Sequence, residues 1–163
     1  TENGESAARK LGTRIQHLSF THVITSPLKR ATQTCELASL QGTVEFESGL
    51  AEWDYGDYEG KTTDEIRRSR PDWNLFRDGC PGGETPQQVS GRAGRIVNRL
   101  RTLCGNVALF SRGHFGRVLG AKWIGLSVEQ SQHLILDTAS LSVLSYEHDR
   151  IEEPVIALWN LST

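Results

Sequence analysis

Short apolar segments of strand length alternate with longer amphipathic segments along the sequence, and this alternation limits the fold more than any other feature. Val107–Phe110 is an unbroken apolar run, which is typical of a strand buried in a parallel sheet. A glycine-containing turn follows it and leads into a predicted helix over 115–125. The pattern predicts an α/β fold, specifically a three-layer α/β/α sandwich with a mostly parallel sheet.

The same alternation runs through the rest of the chain. An opening helix, with Asn3 as its predicted N-cap, precedes a strand at His22–Thr25. Ser26 and Pro27 have the form of an N-cap and a first helical residue, which predicts a helix to about residue 40. The remaining predicted elements are a strand over 43–46, short helices over 62–69 and 72–78, a long helix opening at Pro86, and a hairpin of 141–146 and 154–159.

The long helix that opens at Pro86 is strongly amphipathic. Its polar face is predicted to carry Arg92, Arg95 and Arg99. Its apolar face is formed by Val89, Ala93, Ile96, Val97, Leu100 and Leu103.

Composition excludes several classes of protein. A length of 163 residues fits one domain, 1–163. The net charge of −2 argues against a general nucleic-acid-binding protein, which would carry a strong basic excess. No apolar run approaches the roughly 20 residues that span a bilayer, so no membrane partner is expected.

Cysteine and histidine patterns give no support to a metal site. The three cysteines, at positions 35, 80 and 104, form no paired spacing, and no two histidines have the spacing of a helical metal site. We therefore expect free thiols, a reducing cytoplasmic location and no bound metal.

Three segments could carry chemistry, and the first is residues 25–34. Here a predicted strand runs into a helix, so free backbone N–H groups and the positive end of the helix dipole face the edge of the sheet. Arg30 falls in the first turn, where its guanidinium could bind a phosphate at two points. The alternative is a solvated arginine on a surface helix.

The second segment, residues 50–60, lies in an excursion over 47–85 that is expected to cover the active-site end of the sheet. It contains four acidic and three aromatic residues. A carboxylate beside aromatic rings can act as a general acid. The alternative is a loop whose aromatic rings cover the core while its acids are solvated.

The third segment is residues 110–115, where the apolar strand ends in a glycine turn at a helix start. Ligands of open α/β sheets bind at such strand ends. Arg112 is predicted to project from the strand end, and His114 to lie at the helix start. The alternative for His114 is a structural cap or a packed side chain.

Together these segments resemble the histidine phosphatase superfamily, the phosphoglycerate-mutase-like proteins. The matching motifs occur in the family's order over nearly the whole chain. Two of them, at 50–60 and 79–84, look most like small bacterial mutase-like acid phosphatases and the fungal sedoheptulose bisphosphatase. The four motifs lie at residues 25–34, 50–60, 79–84 and 110–118.

The resemblance implies a two-step reaction without a metal or organic cofactor. A histidine attacks the phosphoryl group, and water then cleaves the phosphohistidine. By motif match, Glu52 is the catalytic acid and base, and Arg30 binds the phosphate. Tyr55 matches a substrate-contacting tyrosine, while Arg112 and Gly113 fall in the second catalytic motif. The expected partner is a small phosphorylated metabolite or inorganic phosphate, and relatives suggest a homodimer.

Two departures from the family pattern stand out. The family's nucleophilic histidine lies in an Arg-His-Gly segment at the end of a central strand, and that tripeptide is absent here. We therefore expect the sequence to be incomplete at its N-terminus and to lack that strand. The family's second catalytic histidine is replaced by Arg112, which cannot exchange a proton near neutral pH.

These features predict a phosphomonoester phosphatase that acts on a small phosphorylated metabolite through a phosphohistidine. A catalytically inactive phosphate-ester-binding protein would explain both departures and is the main alternative. A phosphoglycerate mutase is a further alternative.

Overall fold

The computed structural model describes residues 1–162, and its elements follow the alternation seen in the sequence. Its α-helices are α1 (Glu2–Ile15), α2 (Lys29–Ala38), α3 (Thr63–Ser69), α4 (Leu75–Asp78), α5 (Pro86–Leu100) and α6 (Gly113–Trp123). Its strands are β1 (His22–Thr25), β2 (Val44–Phe46), β3 (Val107–Phe110), β4 (Leu141–Tyr146) and β5 (Pro154–Leu161). Short 3₁₀ turns cover Ser48–Leu50, Gly56–Tyr58, Glu129–His133 and Glu147–Asp149.

The first three strands form a parallel sheet in the order β2-β1-β3. Val23 of β1 pairs with Val44 of β2 on one side and with Ala108 of β3 on the other. Thr25 and Phe110, the last residues of β1 and β3, are partners in this register. The carboxyl ends of both strands therefore lie side by side, and the predicted parallel sheet is confirmed.

Helices cover both faces of this sheet because alternate residues of each strand point to opposite sides. Val23 packs in a cluster with Cys35 and Ala38 of α2, while α1 packs on α2. The next residue, Ile24, packs in the larger cluster that contains Val89 and Phe115 of the α5–α6 layer. The predicted three-layer sandwich is therefore confirmed.

The predicted C-terminal hairpin forms a separate two-stranded antiparallel sheet, β4-β5. It rests on α6 through two tryptophans. The indole N–H of Trp123 donates to the carbonyl of Ser145 at 3.0 Å. The ring of Trp159 lies so close to Gly120 that a Cβ there would be 2.6 Å from it.

Two predicted N-cap residues are wrong. Thr1, not Asn3, caps α1, because the Thr1 hydroxyl accepts the Gly4 N–H at 3.3 Å. The second helix begins at Lys29 with Leu28 in the N-cap position, and Ser26 instead accepts the Leu28 N–H at 3.3 Å. The serine and proline therefore form the turn that precedes α2 rather than its first residues.

The segment over 47–85 contains two short helices and two 3₁₀ turns between β2 and α5. Its early part contacts the end of β3, where the Ser111 hydroxyl donates to the carbonyl of Leu50 at 2.7 Å. Trp53 and Trp73 are buried and anchor it to the larger core cluster. This packing brings the acidic and aromatic motif to the start of α6.

Candidate active site

The Glu52 carboxylate lies against the first turn of α6. Its Oε1 accepts the backbone N–H groups of Phe115 at 2.8 Å and Trp53 at 3.0 Å, and Oε2 accepts that of His114 at 3.4 Å. The N-terminal N–H groups of a helix lack partners within the helix and favour a negative charge. The helix therefore fixes this carboxylate, whose side chain is only 7% exposed.

Arg112 lies beside Glu52 at the N-cap position of α6. Its Nε is 3.9 Å from Glu52 Oε2, and its side chain remains 32% exposed. The structure thus joins two predicted site residues that lie 60 positions apart in the sequence into one ion pair. Gly113 follows as the first helical residue, and a Cβ there would meet nothing closer than 3.9 Å, so space does not demand glycine.

Tyr55 contacts His114 on the outer side of this pair. The phenol oxygen lies 2.5 Å from His114 Nδ1. Burial, reinforced by the Glu52 charge, raises the pKa of Tyr55, and burial lowers the pKa of His114. The tyrosine is therefore protonated and donates to a neutral imidazole, whose Nε2 then carries the ring proton. The predicted alternative of a packed histidine describes this contact well.

A cavity of about 460 Å³ opens beside Tyr55 and His114, between the 55–76 segment and α6. Aromatic side chains, including Phe76, form part of its wall. The guanidinium of Arg117 lies 4.5 Å from the centre of the Phe76 ring. It also donates to the carbonyls of Ser131 and Gln132. Neither Glu52 nor Arg112 lines this cavity, and Tyr55 and His114 lie between it and the charged pair.

Among the described residues, the Arg30 side chain forms no hydrogen bond or ion pair with this group. It is in the first turn of α2, as predicted, and is exposed. Within residues 1–162 the structure shows no ion pair between its guanidinium and an acidic side chain. Its helix begins close to the carboxyl end of β1, which adjoins the strand that leads to Arg112.

The loop over 79–84 packs directly on the acidic motif. The N–H of Asp57 donates to the carbonyl of Pro81 at 2.8 Å, and the N–H of Glu84 donates to that of Asp54 at 2.9 Å. A Cβ at Gly83 would lie 2.3 Å from the Asp54 carbonyl oxygen. Glycine is therefore required at position 83, because the two backbone segments approach too closely to leave room for a side chain.

One residue of this region was assigned wrongly from the sequence. Arg92 is not on a solvated face: its side chain is 11% exposed and pairs with Glu84 at 2.5 Å. The sequence did indicate a position near the apolar face, because Arg92 follows Val89 by three residues and precedes Ile96 by four. This spacing places all three residues on one side of a helix. Arg99 likewise pairs with Glu45 and Glu47, whereas Arg95 is exposed as predicted.

Two further properties concern residues 1–162. In this part of the chain no group of three or more His, Cys, Asp and Glu side chains is arranged to hold a metal ion. None of the helices described there has the length and apolar character needed to cross a membrane.

Comparison of the sequence with known proteins finds relatives that are named as phosphatases. An acid phosphatase from Mycobacterium tuberculosis is 38% identical over 163 residues, covering 97% of this chain and 79% of that protein. Sedoheptulose 1,7-bisphosphatase from Saccharomyces cerevisiae is 32% identical over 197 residues, covering 86% of this chain and 73% of that protein.

Structural comparison agrees with these sequence matches. The solved structure of an open reading frame product from Mycobacterium tuberculosis superposes with a TM-score of 0.92 at 35% identity, covering 99% of this chain and 84% of that one. The family model for the histidine phosphatase superfamily (branch 1) matches residues 1–162. The chain therefore belongs to the histidine phosphatase superfamily.

Proposed function

We propose that this protein is a phosphomonoester phosphatase that hydrolyses a small phosphorylated metabolite through a phosphohistidine. The observation that carries the proposal is the pair formed by Glu52 and Arg112 at the start of α6. It combines a proton-transferring carboxylate with a cation that can bind a phosphoryl group. The 38% identity to a protein named as an acid phosphatase supports it.

In the first step, a histidine nitrogen attacks phosphorus while the bond from phosphorus to the leaving oxygen breaks. Glu52 gives its proton to that oxygen. In the second step, Glu52 takes a proton from water, whose oxygen attacks phosphorus and releases the histidine and inorganic phosphate. Arg30, Arg112 and the backbone N–H of Gly113 bind the phosphoryl oxygens.

The rest of the substrate would lie in the cavity beside Tyr55. Its volume of about 460 Å³ falls within the range of small-molecule sites. The Tyr55 ring then contacts the leaving group. A charged pair for the phosphoryl group and a separate, partly aromatic cavity for the remainder suit a small phosphorylated metabolite.

The test is hydrolysis of p-nitrophenyl phosphate by the complete gene product. The proposed reaction uses a histidine nucleophile, and residues 1–163 contain no Arg-His-Gly segment. We expect Glu52→Gln to lower kcat by about 10²- to 10⁴-fold, the usual contribution of a general acid and base. Glu36→Gln, on the exposed side of α2, serves as the control and leaves kcat unchanged. Equal turnover by Glu52→Gln and the wild type would contradict the proposal.

Arg112 favours a second candidate, a phosphate-ester-binding protein without turnover. Arginine retains its charge and has no acceptor lone pair, so it can hold a phosphate without exchanging protons. In that case inorganic phosphate raises the melting temperature while p-nitrophenyl phosphate is not hydrolysed. A phosphoglycerate mutase would instead convert a phosphoglycerate to its isomer without net release of phosphate.

A further inference from the structure

All five N–H groups of the Arg92 guanidinium are used in hydrogen bonds. Nε and Nη2 bind the two carboxylate oxygens of Glu84, at 2.9 and 2.5 Å. Nη1 donates to the carbonyls of Gly49 at 3.0 Å and Ala51 at 2.6 Å, and Nη2 also donates to that of Glu52 at 3.3 Å. A buried cation with complete pairing defines the geometry of its surroundings closely.

Arg92 contacts both the backbone of Glu52 and a residue that binds the Glu52 carboxylate. The carbonyl that Arg92 binds belongs to the residue whose carboxylate forms the site. The guanidinium also lies 4.4 Å from the centre of the Phe115 ring. The N–H of Phe115 in turn donates to Glu52 Oε1 at 2.8 Å. The Arg92 side chain thus contacts the backbone of Glu52 and also Phe115, whose N–H binds the Glu52 carboxylate.

Glu84 extends the same arrangement to the residues after Glu52. Its Oε2 accepts the N–H of Asp54 at 3.0 Å, and its carbonyl accepts the indole N–H of Trp53 at 2.9 Å. The ion pair of Arg92 and Glu84 therefore connects α5, the 79–84 loop and residues 49–54. A largely buried pair gains little net stability after desolvation, so orientation is the effect that this geometry provides.

We propose that Arg92 and Glu84 are positioning residues that hold the Glu52 carboxylate in its reactive orientation against α6. This inference rests on the proposed function, because it acts through Glu52. A lysine at position 92 keeps the charge but has three donors on one atom, so it cannot reproduce the planar five-donor pattern. Small displacements of a reacting group lower the rate of the chemical step. The expected effect is therefore on kcat, with KM nearly unchanged.

The experiment is a double-mutant cycle on hydrolysis of p-nitrophenyl phosphate by the complete gene product. We expect Arg92→Lys to lower kcat by about 10- to 100-fold in the wild-type background, the range observed for small misplacements. In the Glu52→Gln background the same change alters kcat by less than about twofold, because the group that it positions has lost its function. Arg95→Lys, on an exposed position of the same helix, is the matched control and leaves kcat unchanged.

Each outcome decides between distinct hypotheses. An equal loss from Arg92→Lys in both backgrounds would show a general structural role and overturn the positioning role alone. Absence of wild-type turnover, or no loss from Glu52→Gln, would overturn the proposed function and this inference together. If Arg92→Lys fails to fold, Glu84→Gln replaces it in the cycle, since its amide oxygen can still accept the N–H of Asp54.

Discussion

At the scale of single residues, Arg112 places a permanent positive charge beside the Glu52 carboxylate. A guanidinium binds phosphate oxygens in a planar fork and retains them, whereas an imidazole can lose its proton and weaken its hold. We expect Arg112→His in the complete gene product to raise kcat about tenfold, which corresponds to about 1.4 kcal/mol of barrier. The inhibition constant for inorganic phosphate should rise in the same variant.

Steady-state kinetics with phosphate as product inhibitor measures both quantities. Arg95→Lys serves as the exposed control here as well. If Arg112→His gains no turnover, the arginine does not limit the reaction.

The lowered pKa of His114 leads us to expect that the free energy of unfolding depends on pH. Burial lowers its pKa below the ordinary value near 6.5, reinforced by Arg117 and Arg112 and opposed by Glu52. Below that value the unfolded chain binds a proton that the folded chain excludes, so the free energy of unfolding falls as pH decreases. Above it, His114 contributes no pH dependence. We expect His114→Asn to reduce the loss of melting temperature between pH 7 and pH 5.5.

His17→Asn provides the matched control, since His17 is exposed and none of the ion pairs within residues 1–162 includes it. Its profile of melting temperature against pH should follow the wild type. A His114→Asn profile that also follows the wild type would show that folding does not lower the pKa of this imidazole.

The residues of the site differ in how well the sequence predicted them. The place of Arg112 at the sheet edge followed from the order of strand, turn and helix, whereas Glu52 was identified by the resemblance of its motif to the family. Arg92 was missed because the groups it binds lie up to 43 residues away in the chain. An amphipathic pattern predicts that an arginine side chain lies on the polar face of its helix. Only the tertiary contacts show that five oxygen atoms accept hydrogen bonds from the Arg92 guanidinium.

At the scale of elements, Gly12 controls the approach of α1 to α2. A Cβ at this position would lie 2.2 Å from the carbonyl oxygen of Ala38, a backbone atom that cannot move aside cheaply. We expect Gly12→Ala to destabilise the chain by about 1–3 kcal/mol through overpacking, despite the better helix propensity of alanine. Urea denaturation measures the change.

Gly91→Ala is the matched control, because Gly91 also lies inside a helix but is exposed and has free space around it. Alanine there should stabilise the chain by about 0.5–1 kcal/mol. A loss of stability from both substitutions would contradict the assignment of the Gly12 effect to helix packing.

The strands and most helices could be predicted because their signal is local. Val107–Phe110 is apolar throughout, and the structure places β3 on exactly those residues. Helix starts were less predictable, since several polar side chains compete for the same free N–H groups. At the N-terminus Thr1 takes the position that Asn3 could also fill, and the choice depends on backbone geometry that no pattern of residue types encodes.

At the scale of the whole molecule, the two sheets differ in how deeply their strands are buried. Val23, Ile24 and Thr25 of β1 are at most 2% exposed. Every residue of β4 and β5 retains partial or full exposure, although both strands pack near α6. Two strand-length segments around a polar turn predicted the hairpin, but they could not show that it stands outside the main sheet, because strand pairing depends on contacts distant in the sequence.

This difference predicts that the hairpin opens before the parallel sheet. A two-stranded hairpin is marginally stable alone, so β4 and β5 depend on the contacts of Trp123 and Trp159 with their surroundings. We expect hairpin amides in the 163-residue chain to exchange with deuterium at least about tenfold faster than those of β1 and β3, which corresponds to about 1.4 kcal/mol. Trp159→Ala should accelerate exchange in the hairpin while leaving β1 unchanged, because β1 has its own buried core. Equal exchange in the two sheets would instead mean that the chain unfolds as one cooperative unit, with the hairpin stabilised by more than its contacts with α6.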